Sequence, residues 1–485
     1  MRRIVALLTV LGFTVLSGHA EVKGDNDFTP LYKYRVWLSD KGSDAYVQRQ
    51  LNHPERYLSE KALCRRERQG LKVNQTDVPI NPRYIKQIKN VAGVDLILRS
   101  KWNNTVVVSC EDTTLMQSIV ALPFVKKVEQ VARYDKKNEN FDLNRGDTSL
   151  PEEQNNKGEA LYGVGENQIN VINGQPLHKA GFRGEGVLIA VIDGGFCNLD
   201  RVNAINQKSI IGTKNFVLPE VSVFDMKDEH GLQVTSCMAA NEENVMIGTA
   251  PNASYWLLVS EDGESEQPIE EDNWAAAIEY ADSVGVDVVN TSLGYIEYDS
   301  EGGTRVKIPT WERNGRDHLI SRSASMAAGK GMVLCNAAGN GGEYILSTIG
   351  VPADADNTLT VGSVGKIGNS TLSAEEKFPN GEELLFFSSR GGSYDGRIKP
   401  DVVCEGFNVV KRSGKTGFSF GTSISSPVLC GMVACLWQAL PELTAYEIID
   451  IVKRSASHYQ NPNMDYGYGI PDFEKALQLG KELRR

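Results

Sequence analysis

From about residue 160 onward, short apolar runs alternate with longer stretches of helical periodicity. Val187-Leu188-Ile189-Ala190-Val191-Ile192, Val286-Asp287-Val288-Val289-Asn290, Met332-Val333-Leu334 and Leu359-Thr360-Val361-Gly362-Ser363-Val364 are the runs. They lack the polar alternation of a strand with one wet face, so they predict strands covered on both sides. Trp274 to Ser283 and Ser321 to Lys330 read as helices between them. Strands alternating with helices predict an α/β fold, a parallel sheet with helices on both faces. Sites in such sheets lie outside the carboxyl ends of the strands, so chemistry is expected there.

The preceding stretch, residues 27–134, has a different rhythm. Tyr32-Lys33-Tyr34-Arg35-Val36-Trp37-Leu38 alternates as a strand, and Val94 to Leu98 and Thr105 to Ser109 predict two more around the turn Trp102-Asn103-Asn104. A helix around Thr114 to Leu122 and a strand from Val125 to Val131 complete a small α+β sandwich with one helical face. Residues 135–158 are dominated by Asp, Asn, Lys, Glu and Gly, without apolar periodicity. Such a segment buries too little surface to offset its conformational entropy, which predicts an exposed, cleavable linker.

At the start of the chain, Arg2 and Arg3 lead an apolar run from Ile4 to Leu16, then Gly18-His19-Ala20. The run is too short to cross a hydrocarbon core about 30 Å thick as a helix. Residues 1–20 therefore read as a signal peptide, and the protein as exported, secreted or periplasmic. No later stretch reaches transmembrane length. The division expected is 1–20 signal, 21–134 small α+β domain, 135–158 linker and 159–485 α/β domain.

A formal net charge of −11 argues against nucleic acid as a partner, since polyanions are held by clustered Lys and Arg. Eight cysteines in an exported chain are compatible with disulfides. Cys335, Cys430 and Cys435 lie among apolar residues, however, and read as buried thiols.

Four places carry candidate chemistry. Asp193 closes an apolar strand and is followed by two glycines; a carboxylate there demands a partner. His230 opens the stretch Leu232 to Ala240. Ser423 stands at the start of a predicted helix that contains Pro427, expected in its first turn, where helix dipole and free N–H groups favour developing negative charge. Asn340 follows another apolar strand and carries an amide able to donate to an oxyanion. Each has a plain structural reading: an Asp-Gly turn, a packing histidine, a helix cap, a Gly-Asn-Gly turn.

Taken together and in order, Val191-Ile192-Asp193-Gly194, His230-Gly231-Leu232-Gln233-Val234, Ala337-Ala338-Gly339-Asn340 and Gly421-Thr422-Ser423-Ile424-Ser425-Ser426-Pro427 resemble the subtilisin-like serine proteases. Gly248-Thr249-Ala250-Pro251, Asn290-Thr291-Ser292-Leu293-Gly294, Phe387-Ser388-Ser389-Arg390-Gly391 and Arg397-Ile398-Lys399-Pro400-Asp401-Val402 support the match, over roughly residues 160–475. The order Asp, His, Ser is that of subtilisin. Two positions depart from the family habit: Gly194 replaces Ser or Thr, and Ile424-Ser425 replaces Met-Ala. Neither removes a proton-transfer group.

The resemblance implies a secreted serine endopeptidase that hydrolyses polypeptides through an acyl-enzyme, with Asp193, His230 and Ser423 as triad and Asn340 in the oxyanion hole. It further implies that Ser292, Leu293 and Gly294 pair with substrate backbone, and that the α+β domain is a propeptide, inhibitor and folding partner. No cofactor is required; calcium is a structural ion in many relatives, but Asp200, Glu261, Asp262 and Glu264 form no ligand pattern. The α/β-hydrolases need GxSxG and the order Ser, acid, His, which this chain lacks. The remaining rival is a catalytically inactive, subtilase-like binding protein.

Overall fold

The computed structural model describes residues 29–135, 160–300, 304–343, 347–365 and 381–484. The expected signal peptide and nearly all of the expected linker lie outside the described residues.

The first unit is a four-stranded antiparallel sheet in the order β2-β3-β1-β4, where β1 is Leu31–Leu38, β2 Asp95–Ser100, β3 Thr105–Cys110 and β4 Val125–Tyr134. Helices α1 (Asp44–Leu51), α2 (Glu60–Arg68) and α3 (Pro82–Lys89) lie between β1 and β2, and α4 (Met116–Val120) between β3 and β4. The alternation of β1 is obeyed: Tyr34, Val36 and Leu38 enter a core with Ile88 of α3 and Ile119 of α4. Arg35, between them, points to the opposite face.

The sequence predicts one helical face for this sheet, and the structure shows two. The second is covered by α8 (Ile269–Val284) of the following unit, with Val107 and Val131 packed on Ile269. Helix α2 left little apolar signal because its buried face is made of arginines. Arg65 reaches Asp282 of α8 at 2.5 Å, and Arg66 bridges Asp282 at 2.9 Å and Asp77 at 3.1 Å. Arg35 meets Asp272, also on α8, at 2.6 Å. Burial alone would favour neutral Asp282, yet Arg65 and Arg66 hold its carboxyl below the usual range.

The second unit opens with short helices α5 (Glu166–Asn170) and α6 (Gln175–Lys179). Its parallel strands are β5 (Leu188–Asp193), β6 (Ile210–Asn215), β9 (Ser254–Val259), β10 (Val288–Thr291), β13 (Val333–Ala337), β14 (Leu359–Gly365) and β16 (Val402–Glu405). They run β14-β13-β10-β5-β9-β6, with β16 parallel to β14 and the two-residue β15 (Glu383–Leu384) antiparallel to it. Three antiparallel pairs lie apart from the sheet: β7 (Asn241–Glu242) with β8 (Met246–Ile247), β11 (Glu297–Asp299) with β12 (Arg305–Lys307), and β17 (Phe407–Arg412) with β18 (Lys415–Phe420).

Both faces are covered, as the unbroken apolar runs require. Ile189 and Val191 of β5 join a core with α7 (His230–Ala239), α10 (Thr422–Ala439), α11 (Ala445–Ser455) and α12 (Phe473–Leu483). Leu188, Ala190 and Ile192 face α8 and α9 (Leu319–Gly329). All eight cysteines are free thiols and only Cys64 is exposed, so the larger core uses Cys237, Cys335, Cys404, Cys430 and Cys435 as small apolar side chains.

The shared carboxylate of Asp282 generates a stability prediction. Asp282→Ala leaves two buried guanidinium groups without it, at an expected cost of about 3–5 kcal/mol. Urea unfolding of the full-length chain, carrying Ser423→Ala against self-digestion, measures it; a loss below about 1 kcal/mol would contradict the account.

Candidate active site

Asp193 is the last residue of β5, in parallel register with Val259 of β9, and is 1 % exposed. Its Oδ1 accepts the Gly194 N–H at 2.9 Å and lies 2.8 Å from Nδ1 of His230. The buried carboxylate at the strand end thus has the partner that its position demands. His230 is the first residue of α7, and its backbone N–H donates to Asp228 Oδ1 at 2.8 Å, which anchors the helix start. From Gly231 to Ala239 this helix is buried throughout, whereas the His230 side chain keeps 34 % of its surface open.

The electrostatics around His230 are strongly one-sided. Burial disfavours its cation, but the charge and hydrogen bond of Asp193, then the charges of Asp228 and Glu261, push its pKa up to about 9. Asp228 is raised by burial and by Asp193. Glu261 lies just beyond β9 and is pushed up to about 8, by burial first and then by Asp193 and Glu266.

Ser423 is the second residue of α10, whose N-cap, Gly421, has φ 137°, a region open mainly to glycine. A β-carbon at 421 would lie 3.1 Å from Ser423 Oγ and 3.3 Å from Asn340 Nδ2. Hydroxyl and amide therefore face one small volume that only glycine leaves empty. Asn340 is held from its other end: Oδ1 accepts the Thr422 N–H at 2.9 Å and the Thr422 hydroxyl at 3.1 Å. That fixes which end of the amide is oxygen and turns its N–H groups to the Ser423 side.

Pro427 departs from expectation. The helix begins at Thr422, so Pro427 lies inside it rather than in the first turn. A proline there cannot donate to the carbonyl four residues back, which is that of Ser423. The hydroxyl of Ser292 supplies the missing donor at 2.8 Å and itself accepts from Asn290 Nδ2 at 3.0 Å. Asn290 Oδ1 accepts from Ser426 at 2.8 Å, which closes a buried network between the end of β10 and the start of α10. The Ser292 side chain is thereby turned to the protein. Leu293 is buried, and Gly294 is exposed where the chain leaves the sheet.

Comparison with known proteins identifies the family. The family model of the subtilase family matches residues 184–469, more than half of the chain. The chain belongs to the subtilase family. It is a serine endopeptidase by that membership. Residues 33–144 match the Peptidase S8 propeptide domain of Bacteroidota, so this subtilase carries its propeptide domain in front. Serine protease AprX of Bacillus subtilis (strain 168) is 26% identical over 337 residues, covering 63% of this chain and 68% of that protein. Subtilisin E of the same strain is 27% identical over 315 residues, covering 64% and 70%, and subtilisin of Bacillus pumilus is 27% identical, covering 64% and 98%.

The structure brings the candidates together in two pairs, Asp193 with His230 at the end of β5 and Asn340 with Ser423 beyond β13, both at the carboxyl ends of strands of one sheet. Sequence reasoning missed Thr422 as the residue that orients Asn340, and missed Asp228 and Glu261 as neighbours of His230. Glu261 drew notice only as an acid without a ligand pattern; its place two residues beyond the register partner of Asp193 is tertiary information. Among the described residues no three His, Cys, Asp or Glu side chains gather in a way that could hold a metal ion, so none is assigned to calcium. No helix among the described residues is long and apolar enough to cross a membrane.

The raised pKa of His230 fixes the sign of a pH effect. Its contribution to stability is fully present below the ordinary value of 6.5 and is lost as pH rises through about 9. In a Ser423→Ala background, unfolding at pH 6 and pH 10 measures it. Asp193→Asn should flatten the difference across that window; an unchanged pH dependence would contradict the ion pair.

Proposed function

We propose that this subtilase cleaves polypeptides through an acyl-enzyme, with Asp193, His230 and Ser423 as its triad. The observation that carries the reading is the shared volume over Gly421, bordered by the Ser423 hydroxyl and the Asn340 amide. A substrate carbonyl placed there has its carbon near the nucleophile and its oxygen near the donor. His230 takes the Ser423 proton as the Oγ–C bond forms, then delivers it to the departing amine. Asp193 orients the imidazole through Nδ1 and balances its cation. Asn340 and the Ser423 backbone N–H stabilise the tetrahedral oxyanion, and water, activated by the same imidazole, releases the acyl group. The exposed backbone at Gly294 offers an edge for pairing with an extended substrate, with Ser292 and Leu293 beside it.

The propeptide domain is read as inhibitor and folding partner. As β4 ends, the Arg133 N–H donates to Gln267 Oε1 at 2.8 Å, and Tyr134 hydrogen-bonds Asp262. The chain therefore leaves this domain beside the loop that follows β9, on the Asp193 side of the sheet. The segment that follows is read as the tethered substrate of the proposed triad. With residues 1–20 read as a signal peptide, the enzyme works outside the cytosol and is exported before its propeptide is removed.

Two outcomes are expected. Ser423→Ala abolishes peptidase activity, and Asn340→Ala lowers kcat by about 10²–10³ with little change in KM, a magnitude carried over from subtilisin itself. Steady-state kinetics on a fluorogenic peptide would reverse the assignment if the Ser423→Ala rate matched wild type. N-terminal sequencing tests the propeptide: wild type is cut within about residues 135–160, whereas the Ser423→Ala chain keeps residue 21 onward. Active wild-type enzyme that retains an uncut propeptide domain would refute the zymogen reading.

A further inference from the structure

Every exposed phenylalanine among the described residues stands in one place. Phe386, Phe407, Phe418 and Phe420 are 52 %, 54 %, 57 % and 68 % exposed, and half-buried Phe387 joins them. Ring centroids are 5.6 Å apart for Phe386 and Phe387 and 6.0 Å for Phe387 and Phe420. Phe407 and Phe418 stack at 5.4 Å, with 9° between their planes. Phe407 lies opposite Phe420 in the register of β17 on β18, so these two and Phe418 share one side of the hairpin. The five rings form one continuous apolar surface. Holding such a surface in water is unfavourable, and an exposed patch of this kind marks a docking place.

Backbone connections fix where the surface lies. Phe420 directly precedes Gly421, whose empty β-position borders the Ser423 hydroxyl and the Asn340 amide. The Phe387 carbonyl accepts the Gly342 N–H at 2.8 Å, and the Ser389 N–H donates to the Gly339 carbonyl at 2.9 Å. The stretch that carries Asn340 is thus laced to the stretch that carries Phe386 and Phe387. Along the carboxyl edge, Asp262 follows β9, Gly294 follows β10 and Asn340 follows β13, while Phe386 and Phe387 follow β15, beyond β14. The aromatic surface is therefore on the opposite side of Asn340 from Gly294. The turn of the hairpin reaches the residue before His230: Glu229 accepts from Arg412 Nη1 at 3.3 Å and from the Ser413 N–H at 3.2 Å.

We propose that this aromatic surface, centred on Phe420, selects substrates with large apolar side chains on the leaving side of the scissile bond. The inference rests on the reading of Ser423, Asn340 and His230 as the catalytic machinery. A substrate that pairs at Gly294 and offers its carbonyl over Gly421 continues past Asn340, where it meets the phenylalanines. The tethered segment after Tyr134 starts at the Asp262 end of the edge, so the chain runs toward the rings from N- to C-terminus. The rings then face the fragment that departs as the amine. In an extended chain alternate side chains point the same way, so the surface reads alternate residues of that fragment. Leu, Ile, Met or Phe there removes apolar surface from water on both partners, which Asp, Ser or Gly cannot do.

The experiment gives the mature enzyme, purified after self-processing, a peptide library and reads the residues flanking each cut by mass spectrometry. Wild type should enrich large apolar residues within about the first three positions after the cut. Phe420→Ala and, on the strand away from Ser423, Phe407→Ala should each reduce that enrichment. In matched quenched peptides that differ only after the cut, the kcat/KM preference for Leu over Ser should fall on the order of 10-fold. A peptidyl methyl ester has no residue beyond the scissile bond, and its hydrolysis should be unchanged in both variants. Equal enrichment in wild type and variants, or ester hydrolysis lost along with the enrichment, overturns the proposal. So does a wild-type dimer that the variants dissociate while cleavage preference stays, which assigns the rings to a second copy. If Phe420→Ala does not fold, Phe407→Ala alone decides. Peptide cleavage by Ser423→Ala would instead overturn the catalytic reading, so the two failures are distinguishable.

Discussion

The contact between Asp193 and His230 organises the edge of the sheet. One partner ends the central strand β5, and the other begins the buried helix α7, which packs under that strand. A carboxylate at a strand end surrounded by apolar residues needs a donor, and a helix buried from its second residue onward cannot shift to provide a different one. Sheet and helix therefore set the distance together. The same placement forces other carboxyl groups close to the imidazole, and the local charge balance follows from packing as much as from the residues themselves.

The start of α10 illustrates how a local irregularity ties distant segments together. Pro427 removes one helical hydrogen bond, and the freed Ser423 carbonyl is taken by Ser292. Asn290 then links Ser292 to Ser426, so the end of β10 and the first turns of α10 are one hydrogen-bonded unit. Thr422 does the same for Asn340 beyond β13. The Ser423 hydroxyl and the Asn340 amide thus sit on rigid elements, as the proposed oxyanion site requires.

Helix α8 serves two domains. Ala277, Ile278 and Ala281 face the sheet, while Asp272, Glu279 and Asp282 face the propeptide domain. Arg35, Arg65 and Arg66 answer the two aspartates, and the backbone N–H groups of Lys101 and Trp102 answer Glu279. Buried charges of this kind contribute more to a defined docking geometry than to net stability. Removal of the propeptide would return these acids to water, where each regains its hydration and neither domain is left with unpaired buried charge.

The sequence by itself determined the parallel sheet, its two covered faces and the residues at its strand ends, because apolar periodicity and the strand-end motifs are local signals. It placed β1, β3, β5, β10, β13 and β14 within a few residues, and it singled out Asp193, His230, Asn340 and Ser423 before any distance was known. Helix α2 escaped it, since a buried face built of arginines carries no apolar stripe until α8 is opposite. The interior position of Pro427, the bracing role of Ser292 and the orientation of Asn340 by Thr422 escaped it as well. Each depends on which carbonyl or amide end lacks a partner once the chain has folded. Only the tertiary structure decided that Glu261, an unremarkable acid in a polar loop, stands beside Asp193, because the register of β9 on β5 joins segments that have no neighbourhood in the sequence.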